Sequence, residues 1–140
     1  MTNVWKVLRA GREGVLSSAV VRPPLGLLYM VDGEWLREKW DGVFAFADAA
    51  QAQEFADGLK PSCEIWKCET ESVHDVTHVL ATYSLRWAVT GAHDKWLGLI
   101  RAGKLSSARE YAKKAGLAQC CAPHGTVLCD GLRFIEEVST

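Results

Sequence analysis

Apolar and polar residues change their spacing several times along the chain, and the clearest change falls between Gly42 and Glu69. Val43-Phe44-Ala45-Phe46 is an unbroken apolar run, which predicts a strand buried on both faces. The period then lengthens: Ala52, Phe55, Ala56 and Leu59 fall at i, i+3, i+4 and i+7, one stripe of a helix over Asp48 to Leu59. Asp48 is placed to cap that helix, Gln51 to complete a capping box, and Gly58 to end it in a left-handed C-cap before Pro61. Cys63 to Glu69 predicts an interior strand with charged ends.

Upstream, Val4-Trp5-Lys6-Val7-Leu8-Arg9 alternates as a strand does, and Val15 to Val21 predicts a second strand after a turn framed by Gly11 and Gly14. Leu25 to Val31 leads into Asp32-Gly33, a hairpin signal, and Asp41-Gly42 is another turn, so residues 1–46 predict an antiparallel meander. Downstream, Thr70 to His78 is polar and without clear period. Val79, Ala81, Tyr83, Leu85, Trp87 and Val89 share one parity of a long strand with one wet face.

Asp94 is expected to cap a short helix carrying Trp96, Leu97 and Ile100, stopped at Gly103. Ser107 with Glu110 is expected to open a second, striped by Ala108, Tyr111, Ala112 and Ala115 and closed by Gly116. Gly125 to Val138 reads as two strands around Asp130-Gly131. The class expected is α+β: a mainly antiparallel sheet with one packed helix and a helical pair in the C-terminal half. Residues 1–140 form a single domain, and 94–116 a basic helical-pair insertion projecting from it.

Composition narrows this picture only slightly. At 49% apolar and 24% charged residues, the chain has the profile of a soluble globule. No apolar run resembles a signal peptide or reaches membrane-span length, so no membrane partner is expected. Five cysteines without a spaced framework point to reduced thiols and a cytoplasmic setting. A net charge of −1 argues against a generic nucleic-acid binder. The distribution says more. Basic and acidic residues number six against four over 1–40, two against eight over 41–78, and eight against five over 79–140.

Three constellations could carry chemistry. Cys120, Cys121, His124 and Cys129 hold one half of a zinc-like spacing, against the plainer reading of Cys63, Cys68 and Cys129 as small buried strand residues. His74 and His78 stand four apart, which is metal-ligand spacing only on a helix; Asp75 follows the first where a zincin has glutamate, and an extended or looped backbone is favoured. Arg9, Ser17 with Ser18, and Glu69-Thr70-Glu71 resemble the Arg, Ser and Glu-x-Glu set of arginine-directed ADP-ribosyltransferases. That resemblance implies NAD as substrate, with Glu71 acting on the incoming nucleophile.

The helical pair carries the most weight. Lys95, Arg101, Lys104, Arg109, Lys113 and Lys114 oppose a single acidic residue, Glu110, between positions 95 and 114. Leu105 to Leu117 resembles the opening of a helix-turn-helix, but Pro123 and Gly125 stand where a recognition helix would run. An acidic protein surface is therefore the expected partner, ahead of a phosphate-bearing ligand or nucleic acid. Trp35 beside Arg37 is a candidate hot spot. Trp5, Trp66 and Trp87 are expected in the core, and Trp40 is expected to be partly exposed.

Val4 to Arg9, Leu28-Tyr29, Gly33-Glu34-Trp35, Gly42 to Phe46, Ala52, Phe55, Ala56, Glu64 to Glu69, Gly125 to Leu128 and Glu136 to Val138 resemble a group of small phage and metagenomic proteins of unassigned function. The resemblance implies a fold and a mobile-element context, and no activity. The reading that follows is a small intracellular, non-catalytic binding protein without cofactor. It would be a phage-type modulator or inhibitor of a host defence factor, acting through the basic helical surface. An NAD-using ADP-ribosyltransferase-like enzyme and a zinc-stabilised module stay open beside it.

Overall fold

The computed structural model describes residues 1–10, 16–18, 28–29, 35, 43–59, 63–80 and 90–138. The turns at Gly11–Gly14, Asp32–Gly33 and Asp41–Gly42, the residues Arg37, Trp40 and Trp87, and the strand expected beyond Leu80 lie outside them. The described elements form an α+β fold with a mainly antiparallel sheet.

Its first strand, β1 (Thr2–Ala10), is the centre of the sheet. β2 (Leu16–Ser18) and β3 (Leu28–Tyr29) follow as the antiparallel meander expected, β2 on β1 and β3 on β2. β4 (Val43–Phe46), α1 (Ala49–Asp57) and β5 (Cys63–Thr70) then form the central unit. β5 pairs along one edge of β1, from Thr2 opposite Thr70 to Arg9 opposite Cys63. The other edge is shared, with β4 at Trp5 and β2 from Leu8 to Ala10. Both β4 and β5 run antiparallel to β1, so they are parallel to each other with β1 between them. A parallel pair needs a crossover, which α1 supplies.

Asp48 caps α1 as expected, accepting from the Ala50 and Gln51 amides at 2.8 and 3.2 Å. The stripe holds too: Ala52 and Ala56 are buried with Val7, Phe46 and Ile65, and Phe55 and Leu59 pack beside them. Two local expectations fail. Gly58 ends the helix at φ −80°, right-handed, its amide donating to the Phe55 carbonyl at 3.2 Å in a tightened last turn. Gln51 packs instead against Gly125, whose φ of 87° and missing side chain leave the room: a Cβ there would lie 1.9 Å from Gln51 Oε1.

Residues 70–78, without period in the sequence, supply β6 (Ser72–Asp75) and the first part of β7 (His78–Leu80). β7 pairs with β8 (Gln119–Cys121) in a small separate ladder. β9 (Thr126–Asp130) and β10 (Arg133–Glu137) fall where two strands are expected, but they do not form a hairpin. β9 pairs with β4 and β6, and β10 pairs with β5. Arg133 faces Glu69 and Asp130 faces Ser72, so one register runs on from β5–β10 into β6–β9. Two long strands, 63–75 and 126–137, thus bend together at Glu71 and Gly131. Pairing passes from β1 to β4, to β9–β10, to β5–β6 and back to β1: the sheet closes on itself.

Thr70 pins the bend. It is wholly buried, and its hydroxyl lies 2.6 Å from the Gly131 carbonyl and 3.1 Å from those of Ser72 and Asp130. Gly131 turns at φ 71°, a left-handed conformation that glycine adopts without steric cost.

Alternation sorts residues into an inside and an outside. Val4, Leu8, Ala45, Cys68, Val127, Cys129, Leu132 and Phe134 fill the interior. Lys6 shares their parity on β1, is 1% exposed, and donates to the Phe44 carbonyl. Outside, α1 covers one face. The pair α2 (Ala92–Arg101) and α3 (Leu105–Ala115) covers another, burying Trp96, Leu97, Ile100, Ala108, Ala112 and Leu117 against Phe44, Leu128, Val79 and Leu80. The helical pair is therefore part of the core rather than a projecting insertion, because its stripe is as apolar as that of α1. Its caps differ from expectation as well. Gly91, at φ 75°, precedes α2 where Asp94 was expected, and Lys104 precedes α3, leaving Ser107 inside the first turn. Gly116 does close α3 left-handed, while Ala115 is exposed. Of the tryptophans expected in the core, Trp5 and Trp66 are partly buried, and Trp96 is the most enclosed of those described.

Two outcomes test this arrangement. Thr70→Val keeps the shape and removes the hydroxyl, so it should cost about 1–3 kcal/mol in urea unfolding. The second concerns His93 on α2, 2% exposed and stacked on Trp96. Burial, aided by Arg101 and opposed by Asp94, lowers its pKa from 6.5 to about 4. The unfolded chain therefore takes up this proton first as pH falls. Stability should be complete above about pH 7, drop between roughly 6.5 and 4 by on the order of 3 kcal/mol, then level off. Urea midpoints against pH should show this step, and His93→Gln should flatten it.

Candidate functional site

The basic residues of the helical pair do not act as one patch. Arg101, in the last turn of α2, turns back to the sheet, and its Nε donates to Asp130 Oδ1 at 2.9 Å. Asp130 closes β9 and also accepts from Ser72 Oγ at 2.8 Å and bonds to His74 Nε2. Partial burial works against the charged carboxylate, but the bonds from His74, Ser72 and Arg101 outweigh it and hold the carboxyl below its ordinary value. Arg101 is thus a structural tie between helix and sheet end rather than part of a free docking face. Lys95 lies over the Tyr111 ring of α3, 5.0 Å from its centroid, joining the two helices.

What remains is α3 itself. Lys104, Arg109, Lys113 and Lys114 are exposed and make no ion pair among the described residues. Ser106, Arg109 and Lys113 stand at i, i+3 and i+7 and so share one flank. With Glu110, Gly116, Leu117 and Gln119 they line a surface cavity of about 620 Å³. Its wall on the far side is fixed: Gln119 Nε2 donates to the Arg109 carbonyl at 3.3 Å, and Leu117 is buried. Lys114 points to another side of the helix. Lys113 and Lys114 also sit in the last turn, where positive charge offsets the helix dipole.

The other sequence candidates separate. Trp35 is half-buried beneath the Arg133 guanidinium, 5.3 Å from its ring, and stands against the Gly131 bend, so it closes the sheet corner instead of presenting an open hot spot. Ser17 does face Arg9 across β1 and β2, as an ADP-ribosyltransferase-like set would need. Glu69, however, faces Asn3, six positions along β1 from Arg9 or roughly 20 Å, and its carboxylate binds Arg133 at 3.2 Å. Glu71 lies further still, at the bend. The strands therefore bring Arg9 and Ser17 together and leave Glu69 and Glu71 apart from them.

The zinc candidates are likewise apart. Cys129 is buried inside the sheet, Cys120 and Cys121 are exposed on β8, and His124 lines a groove of about 340 Å³ beside Glu54 and Phe55 of α1 and Leu59 beyond its end. Among the described residues no three His, Cys, Asp or Glu side chains gather around a metal position. His74 lies on β6 and His78 on β7, as an extended backbone requires, which excludes a metalloprotease helix. Burial, against the pull of Lys6, pushes the thiols of Cys68 and Cys129 up to about 12, so both stay protonated and inert. β8 follows α3, and no recognition helix enters at that point. No described helix is long and apolar enough to cross a membrane.

The Asp130 cluster escapes a reading of the sequence, because Asp130-Gly131 looks like a hairpin turn and its partners lie far away in the chain. Lys6 left a fainter mark: an ionisable residue on the parity of Val4 and Leu8. Compared with known proteins, the chain matches no protein-family model, no curated protein and no solved structure. The mobile-element context implied by the sequence resemblance gains no support there.

Asp130→Asn should test the tie. A depressed carboxyl stabilises the fold above its unfolded value of 3.8, and that stability is lost as pH falls through the folded value. The variant should therefore be less stable at neutral pH and lose this part of the acid limb, measured as urea midpoints between about pH 6 and pH 2.

Proposed function

We propose that the chain is a non-catalytic binding protein whose α3 flank docks an acidic segment of a protein partner. The observation that carries this reading is the cavity beside α3, walled by a guanidinium and an ammonium, Arg109 and Lys113, that make no ion pair among the described residues. An arginine fork matches a carboxylate in two parallel hydrogen bonds, while the lysine adds an undirected charge beside it. Ser106 and Gln119 supply neutral polar groups at the same wall. Glu110 in that lining disfavours the closely spaced, fixed charges of duplex DNA and favours carboxylates on a flexible peptide, which can meet Arg109 and Lys113 and stay clear of it. Surrounding cations at Lys104 and Lys114 would speed encounter more than they deepen affinity. Modulation of a host factor by a phage-type protein is one use of such a surface, and the sequence resemblance is what supports it.

The test is binding of a fluorescent glutamate-rich peptide, followed by anisotropy at low and high salt beside duplex DNA and inorganic phosphate. The peptide should bind in preference to both and weaken with salt. Arg109→Glu with Lys113→Glu should cost roughly tenfold or more in affinity, and Lys95→Glu far less. Equal affinity in the double variant, or a preference for DNA, would overturn the reading.

A further inference from the structure

The small ladder of β7 and β8 holds a second kind of chemistry. His78 faces Cys121 across the ladder, with His78 Nε2 4.0 Å from Cys121 Sγ. The other ring nitrogen, Nδ1, is 3.0 Å from the Thr77 hydroxyl, so the imidazole is held from behind. The Ala122 amide donates to the Thr77 carbonyl at 3.0 Å, which extends the pairing and fixes the two strands against each other. Nucleophile, base and an orienting third group are therefore neighbours in that order, as in sites where proteins activate a thiol. Cys121 is exposed, so a co-reactant can reach it.

The other cysteines provide a contrast within the chain. Cys68 and Cys129 are sealed in the interior. Cys120 is also exposed, but it faces Val79 and has no side-chain hydrogen-bond partner among the described residues. Arg109 lines the same narrow cleft as Thr77 and His78, which places a positive charge on the imidazole side of the pair.

We propose that Cys121 is a reactive thiol, activated by His78, whose co-reactant is an anionic low-molecular-weight disulfide. In the tautomer where Nδ1–H donates to Thr77, Nε2 takes the proton from Cys121. The thiolate then attacks one sulfur of the disulfide. A bond forms between Cys121 Sγ and that sulfur as the original S–S bond breaks, and the departing thiolate recovers the proton from His78. Cys121 is oxidised to a mixed disulfide, and half of the small molecule is reduced to a thiol. Arg109 attracts the anionic reagent toward the cleft. The inference does not depend on the docking reading, since it needs only the charge of Arg109 and no partner.

The experiment treats the full chain with oxidised glutathione near neutral pH and follows single adducts by intact mass. Cys120→Ser should keep the fast adduct, and Cys121→Ser should abolish it. His78→Gln should slow addition about tenfold or more and change its pH profile, because the thiol then reacts only through its own ionised fraction. Arg109→Glu should slow it without changing that profile. Equal rates for the two single-cysteine variants would overturn the proposal, as would an unaltered rate and profile in a folded His78→Gln chain. The cysteine comparison leaves His78 intact, so it decides the matter even if the histidine variant fails to fold.

Discussion

Only Glu71 separates Thr70 from Ser72, and only Gly131 and Leu132 separate Asp130 from Arg133, yet the strands on either side lie at opposite ends of the sheet order. So short a connection cannot cross a flat sheet. The sheet must curl until its two ends meet, and the shared register of 63–75 with 126–137 is how they do so. Thr70 sits where the two bends touch, and its buried hydroxyl is surrounded by three backbone carbonyls that the bend leaves inside. A buried polar backbone without such a partner would be costly, so closure and the threonine belong together.

Once the sheet is closed, strand alternation divides the chain into an interior and two covered outer faces. The interior mixes small residues, Ala45, Cys68 and Cys129, with the larger Leu8, Leu132 and Phe134. The outer faces present Phe44, Phe46, Ile65 and Leu128, which need lids, and the three described helices are those lids. This explains why the basic helical pair cannot project freely. Its apolar stripe is committed to Phe44 and Leu128, and the flank of α3 turned away from the sheet stays exposed to meet another molecule. The Arg101–Asp130 contact removes one more cation from that surface by fastening α2 to the end of β9.

Much of the local structure was legible in the residues. Asp48 with the stripe of Ala52, Phe55, Ala56 and Leu59 identifies α1, Gly116 marks the end of α3, and Cys63, Cys68 and Cys129 fall in strands as small apolar residues do. The long-range pairing was not legible. Asp130-Gly131 carries the chemistry of a tight hairpin, and nothing nearby signals that the glycine bends a strand which then pairs some 60 residues upstream, where Arg133 meets Glu69. The same limit hid the site chemistry. Arg9 and Ser17 do pair across β1 and β2, but Glu69 lies at the far end of the ladder. Cys121 meets His78 through a register that neither segment announces.

Closure also has a cost in time. The ring is joined by contacts such as Glu69 with Arg133 and Val43 with Cys129, whose members are distant along the chain. Such contacts form late, because loop entropy must be overcome before they return any stabilisation. While the chain is being synthesised, β1, β4 and β5 can assemble around α1, but the edges awaiting 126–137 stay open until that segment has left the ribosome. During that interval the exposed strand edges and the apolar lining of the interior are open to aggregation or chaperone capture.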